Sequence, residues 1–359
     1  MSAPATDICF DAARVCLKRG ITFALSFLPG RQTPLFSAMQ SAPGRVEALS
    51  GSVSGFLVNT FEPGNIPWLV RNELSPEGVL NNSARSFVGT ASYVRPWEIS
   101  TRREIYRERV GNLIARLAET GGKTVVSRAI CRSKISVDWI AVARELFSRF
   151  PQTYRFIYYT PQTGAWLGAS PETLLDYDAA SSIVSTMALA GTRPYSAVSS
   201  AWDAKNRREH RFVTDYIVSV LSSCGLSPVV GPAENLRYGI VEHLCHRITA
   251  AGAAPEQVIP VLSALSPTPA LAGYPLADAL RQIAQVEDYP RLCYGGYVGN
   301  VGGGSLHTCV NLRSVHFSDN GFCIMVGGGI TSDSDAVREW EETEAKSRIL
   351  LQTIMNNLQ

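Results

Sequence analysis

Between Arg338 and Lys346 the chain reads Arg-Glu-Trp-Glu-Glu-Thr-Glu-Ala-Lys, so Glu339, Glu342 and Lys346 stand three and then four residues apart. On a helix that spacing gathers two carboxylates and an ammonium on one face. The face continues into Ile349 and Leu350, so the acidic pair points along a stripe that turns apolar. Either the segment is a solvated acidic helix, or its carboxylates converge on a positive charge. Residues 207–223 pose the same question. There Glu209 precedes Val213 by four positions and Tyr216 by seven, on the apolar face of a first turn. An exposed Glu in a first turn is stabilised by the helix dipole, whereas a buried, uncompensated one is costly. A divalent cation shared by Glu209 and Glu342 would satisfy both helices. All-oxygen donors favour magnesium, which keeps waters or substrate oxygens in its shell.

Other segments could supply proton transfer and anion binding. The strand pattern at 123–128 puts Lys123 and Val125 on one face. Such a lysine is either an edge-strand guard or a desolvated base. Glu172, in Gly-Ala-Ser-Pro-Glu at 168–172, opens a strand after a turn. In solvent it is surface decoration; in a closed cleft it becomes a general acid. Gly327, Gly328 and Gly329 form either a plain turn or a run of amides presented to an anion. No Lys-Ser/Thr follows at the spacing of a phosphate-binding loop. Together these residues suggest an anionic substrate, a hard metal, one base and one acid.

The elements that would position them are strands with helices inserted. Strands are expected at 21–28, 55–61, 123–128, 154–160, 165–169, 174–177, 183–188, 294–298, 308–317 and 322–326. Helices are expected around 110–117, at 137–147 and 207–223, from 276, and from 334 to the end. The first hundred residues read as short strands only. Strand-to-strand succession without regular alternation predicts an α+β fold with mainly antiparallel sheets.

The chain has 359 residues, 45 % of them apolar and 18 % charged, with a net charge of +2 and no basic block. Nucleic acid is therefore a poor partner. Eight cysteines form no CxxC pair, which argues against a zinc or disulfide framework and for a reducing cytoplasm. No run of about 18 apolar residues suggests a membrane span, and nothing at the N-terminus reads as a signal peptide. With no linker in sight, residues 1–359 are expected to form one domain.

Taken in order, ten segments resemble the chorismate-utilising enzymes, which comprise isochorismate, salicylate, anthranilate and aminodeoxychorismate synthases. They are KTVVSR at 123–128, LGASPETLL at 167–175, ALAGTR at 188–193, REHRFV at 208–213, EHL at 242–244, SPTPALAGYP at 266–275, YGGYVG at 294–299, VNLR at 310–313, VGGGI at 326–330 and EWEETEAK at 339–346. They span residues 120–350; residues 1–100 match loosely, as strands that complete the fold.

The resemblance implies a single two-lobed α+β domain like that of anthranilate synthase component I. It would have two stacked antiparallel sheets, helices outside and the site in a cleft. It also implies Mg2+ held by Glu209 and Glu342, with Glu339 close by. Arg313, Lys346 and the amides of Gly327, Gly328 and Gly329 would hold substrate carboxylates. Thr192, His243, Ala270, Leu271 and Tyr294 would line the pocket.

Aminating members typically carry Gln where this chain has Lys123, and Ala190 stands where a nucleophilic Lys can occur. The pairing resembles the water-using branch. It implies an isochorismate synthase with Lys123 as base and Glu172 as acid, acting without an obligate protein partner and expected to be a monomer. Menaquinone, siderophore and salicylate routes all begin there. A salicylate synthase is the alternative; an aminating synthase and a silent chorismate-binding paralogue are weaker ones. Two departures stand out: Ser266 replaces a frequent His, and Asn206 replaces an acid common in salicylate-forming relatives.

Overall fold

A computed structural model describes residues 5–81, 94–195, 201–238 and 241–359. Among them lie seventeen strands in two sheets. The first sheet has the order β13 (Gly273–Tyr274), β6 (Lys123–Ser133), β17 (Gly321–Ile330), β16 (Ser314–Ser318), β8 (Gly164–Ser170), β7 (Tyr154–Thr160), β1 (Thr22–Phe27) and β2 (Leu35–Met39). The second runs β11 (Val229–Tyr238), β12 (Val241–Ala251), β10 (Ile183–Pro194), β9 (Thr173–Asp178), β15 (Ser305–Val310), β14 (Tyr297–Gly302), β4 (Gly55–Val58), β5 (Trp68–Arg71) and β3 (Gly44–Arg45). Neighbouring strands are antiparallel throughout.

The first sheet is buried on both faces, and the two-residue period of its strands sorts side chains between two cores. Ala24, Phe156, Tyr158 and Trp166 join a cluster with Phe56 and Val298 of the second sheet, and the Phe56 and Tyr158 rings meet at 5.4 Å. Their sequence neighbours Phe23, Leu25, Ile157 and Leu167 point the other way. They pack under the helices α1 (Ala5–Arg19), α4 (Trp139–Arg149) and α8 (Ala336–Asn356). Each large side chain so buried contributes about 1.5–3 kcal/mol. The short helix α2 (Pro76–Leu80) adds Val79 to that core, and α3 (Arg103–Thr120) packs Val110 and Leu113 beside Val126. Helices α5 (Ala204–Ser223) and α6 (Pro255–Leu265) share a core with Val184 and Ile248 of the second sheet, through Val213, Ile217, Val258 and Leu262. Helix α7 (Leu276–Val286) adds Ile283 to a small cluster with Phe61 and Ala272.

Four expectations need correction. The first hundred residues open with a helix, because Cys9, Ala12, Ala13 and Cys16 recur at helical spacing and all bury beneath the sheet. The strand expected at 308–317 is two strands in different sheets, parted at Arg313, whose φ of 52° breaks the extended path. Tyr294 precedes β14 and sits in a turn, its amide donating to the Arg291 carbonyl. The three glycines at 327–329 are not a turn; they are the end of β17, paired with β6.

Candidate active site

A cavity of about 320 Å³ opens where the ends of β6 and β17 in one sheet meet β10 and β12 in the other, closed off by the N-terminal turns of α5 and α8. Every site residue expected from the sequence lines it: Lys123, Glu172, Thr192, Glu209, His243, Ala270, Leu271, Tyr294, Arg313, Gly327, Gly328, Glu339, Glu342 and Lys346. They come from segments up to 223 positions apart (123 to 346), so the fold rather than local sequence assembles them.

Lys123 opens β6 and is 3 % exposed, which removes the edge-guard reading. Its ammonium lies 3.6 Å from Glu209 Oε2. Space for it comes from Gly329: a Cβ there would stand 2.4 Å from Lys123 Cε and 3.1 Å from its Nζ. Glu209 is buried in the first turns of α5, after Asp203 caps the helix through the Asn206 amide. The apolar stripe of Val213 and Ile217 holds that face against the sheet.

Glu172 follows β8 at a turn closed by Ser170, whose hydroxyl donates to the Val310 carbonyl at 2.7 Å. Burial removes its carboxyl from water and pushes its pKa up to about 8, although the Lys123 charge pulls the other way. It is mostly protonated at neutral pH and so equipped to donate a proton. Thr192 Oγ1 and the Gly191 carbonyl both approach His243 Nδ1, at 3.1 and 3.3 Å. Burial, aided by the Arg313 and Lys346 charges, lowers His243 to about 3. It is a neutral imidazole that positions Thr192 and has no charge to offer an anion.

One wall of the cavity is rich in hydrogen-bond donors and is formed by Arg313, Lys346 and β17. Arg313 Nη1 donates to the Lys346 carbonyl at 3.0 Å, and Lys346 Nζ reaches the Gly327 carbonyl at 2.9 Å and Glu342 Oε1 at 2.6 Å. Opposite Gly327 and Gly329, the amides of Ser127 and Val125 turn away from β17 and donate to Glu287 and Ala272. Those two pairs are therefore the wide, non-bonded kind, so the amides of Gly327 and Gly329 face away from β6. The last β16 pairing reaches only Ile324, so among the described residues those amides have no strand on their far side.

The carboxylates are matched by ammonium groups. Lys205, which sequence reasoning missed, lies 3.0 Å from Glu339 Oε1 and 3.7 Å from Glu209 Oε1. Its four-residue spacing before Glu209 was a visible signal; its contact with Glu339 was not. Burial raises the Glu339 pKa and Glu342 adds to it, while Lys205 opposes. Burial also disfavours the Glu342 anion, but Lys346 outweighs it and the pKa falls below the usual carboxylate value. The hard oxygens of Glu209, Glu339 and Glu342 suit magnesium chemically. Among the described residues, however, no three such side chains are gathered closely enough to form a ready cage. Asn206 Oδ1 accepts the Thr192 amide at 3.1 Å, and Leu189 and Met325 add apolar walls.

No helix of the described residues is long and apolar enough to cross a membrane. The sequence profile of the chorismate binding enzymes matches residues 70–352. Isochorismate synthase MenF of Pasteurella multocida is 30 % identical over 57 % of this chain and 50 % of its own length. Anthranilate synthase component 1 of Serratia marcescens is 29 % identical over 52 % of this chain and 40 % of its own. The chain thus spans about half the length of these curated relatives. The solved structure of MenF, the menaquinone-specific isochorismate synthase of Escherichia coli, superposes with a TM-score of 0.75 at 22 % identity, over 93 % of this chain and 88 % of that one. The profile match covers most of the chain and contains every residue of the cavity, and on that ground the chain belongs to the chorismate binding enzymes.

Proposed function

We propose that the chain interconverts chorismate and isochorismate with magnesium as cofactor. The observation that carries this reading is a buried lysine, Lys123, and a buried carboxyl, Glu172, lining one cavity together with Arg313, Lys346 and the end of β17. Glu209, Glu339 and Glu342 would hold the ion, which when bound neutralises substrate carboxylate charge as a Lewis acid. Arg313, Lys346 and the outward amides of Gly327 and Gly329 fix the two carboxylates of chorismate. Acting as its neutral amine, Lys123 takes a proton from a water as the water oxygen bonds to C2. The ring double bonds shift, the C4–O bond breaks, and Glu172 protonates the departing hydroxyl, so one water enters and one leaves. Each proton transfer contributes about 10²–10⁴-fold.

Chromatography of products after incubating the purified chain with chorismate and Mg2+ tests this directly. A chorismate–isochorismate mixture that disappears with chelator is the expected result. Salicylate with stoichiometric pyruvate would reassign the chain to salicylate synthesis, and anthranilate formed with ammonia would reassign it to amination. Unchanged chorismate under all conditions would refute catalysis.

A further inference from the structure

We infer that Lys205 is a built-in stand-in for the divalent cation, seated between Glu209 and Glu339 and displaced when a metal ion binds. The inference rests on the proposed magnesium site. Three carboxylates, Glu209, Glu339 and Glu342, meet three ammonium groups, Lys123, Lys205 and Lys346, within 2.6–3.7 Å. The metal-free site is balanced one for one, so an added dication has no uncompensated charge to join. Something must leave, and the three lysines differ in their freedom to do so.

Lys123 is 3 % exposed at its side chain and enclosed by Gly329. Lys346 is tied to the Gly327 carbonyl as well as to Glu342. Lys205 reaches in from the first turn of α5 with its side chain 31 % exposed, while its two partners are 10 % and 4 % exposed. It alone joins carboxylates from two helices, one on α5 and one on α8. A cation that links those two carboxylates is doing in the metal-free chain what a bound ion would do: it screens two buried anions that otherwise repel and splay the helices apart. Because its stem is flexible and its head borders water, it can swing out at little cost. Gly328 backs the other oxygen of Glu339, since a Cβ there would be 2.8 Å from its Oε2, and Lys205 takes the Oε1 side.

Two consequences follow. The free enzyme binds magnesium weakly, since the ion must evict an ammonium. Binding tightens with substrate, because a dication and a dicarboxylate enter together as a neutral pair.

Isothermal titration with MgCl2 alone, without substrate, tests the idea on the full chain, Lys205→Met and a control, Arg338→Met. Arg338 lines the same cavity at its exposed rim but makes no ion pair with these carboxylates. Lys205→Met is expected to bind Mg2+ about tenfold more tightly, a change of about 1.4 kcal/mol, and the control to change less than threefold. In the unmodified chain, Mg2+ should also speed acylation of Lys205 by an amine-reactive reagent, read by mass spectrometry against exposed Lys18. Equal Mg2+ affinity in the parent chain and Lys205→Met, or an equal gain in the control, would overturn displacement while leaving the magnesium site intact. Absence of Mg2+ binding in every variant, with folding verified by melting, would remove the magnesium reading and this inference with it.

Discussion

Replacing Glu172 with Gln should stabilise the protein while disabling it, and the gain should grow with pH. Below about pH 4.5 the carboxyl is protonated in folded and unfolded chains alike, so burial costs no ionisation. Between pH 4.5 and about 8 the unfolded chain releases the proton and the folded chain keeps it. Stability falls through that window and levels off above it. The slope is about 1.36 kcal/mol per pH unit, so from pH 5.5 to 7.5 the parent chain loses about 2.7 kcal/mol that the Gln variant retains. With an unfolding entropy of about 2.1 cal/mol/K per residue, the melting temperatures should diverge by about 4 °C more at pH 7.5 than at 5.5. The assay is calorimetric melting of both proteins at the two pH values without magnesium or substrate. Chorismate turnover by the variant should fall by about 10²–10⁴-fold. A melting-temperature difference that does not change with pH would show that Glu172 ionises normally, and the general-acid role would lose its physical basis.

Lys123→Gln should abolish water addition yet leave chorismate binding nearly intact by calorimetry; full turnover in that variant would remove the proposed base. Glu342→Gln, which leaves Lys346 without its ion-pair partner, should shift the magnesium titration of activity to much higher concentration, and an unchanged titration would count against Glu342 as a ligand. Gly329→Ala places a methyl 2.4 Å from Lys123 Cε and should push the ammonium off its position. The expected loss in kcat is about 10²-fold with little change in melting temperature, and a variant at full rate would show that Lys123 needs no such placement.

The sequence exposed much of this cavity because several of its residues break a local rule. Lys123 is a charge opening an apolar strand, Glu209 a carboxylate on an apolar helix face, and Glu339 and Glu342 an acidic stripe that runs into Leu350. Such conflicts are where a chain specifies chemistry at the expense of local consistency. The run of large, mostly aromatic and aliphatic residues at 154–160 also came through unaltered, as a strand buried on both faces. What failed to come through depended on distant contacts. Nothing in residues 308–317 says that the chain changes sheets at Arg313, because the switch is set by what each half pairs with: β9 and β14 for the first, β8 and β17 for the second. The N-terminal helix is faint in the sequence because Phe10 is the one large side chain on its buried stripe and the other members, Cys9, Ala12, Ala13 and Cys16, are small, fitting close to a sheet and too weakly hydrophobic to announce a core.

The glycines show why position within a sheet matters more than the motif itself. A Gly-Gly-Gly run suggests a flexible turn, and none of the three has the positive φ that would demand glycine. Their value is spatial. Gly328 lets Glu339 lie against the strand, Gly329 lets Lys123 do the same, and Gly327 brings its carbonyl to Lys346. The missing Cβ atoms of Gly328 and Gly329 let a carboxylate and an ammonium group press against a backbone whose outward amides at Gly327 and Gly329 remain available to an anion. Side chains there would crowd the Val126 carbonyl of β6 at one position and fill the cavity at the other two. The requirement is thus for absent volume, and alanine should tell the positions apart: at Gly329 it meets the movable Lys123 side chain and should lower turnover more than melting temperature, whereas at Gly327 it meets the fixed Val126 carbonyl 2.8 Å away and should lower the melting temperature.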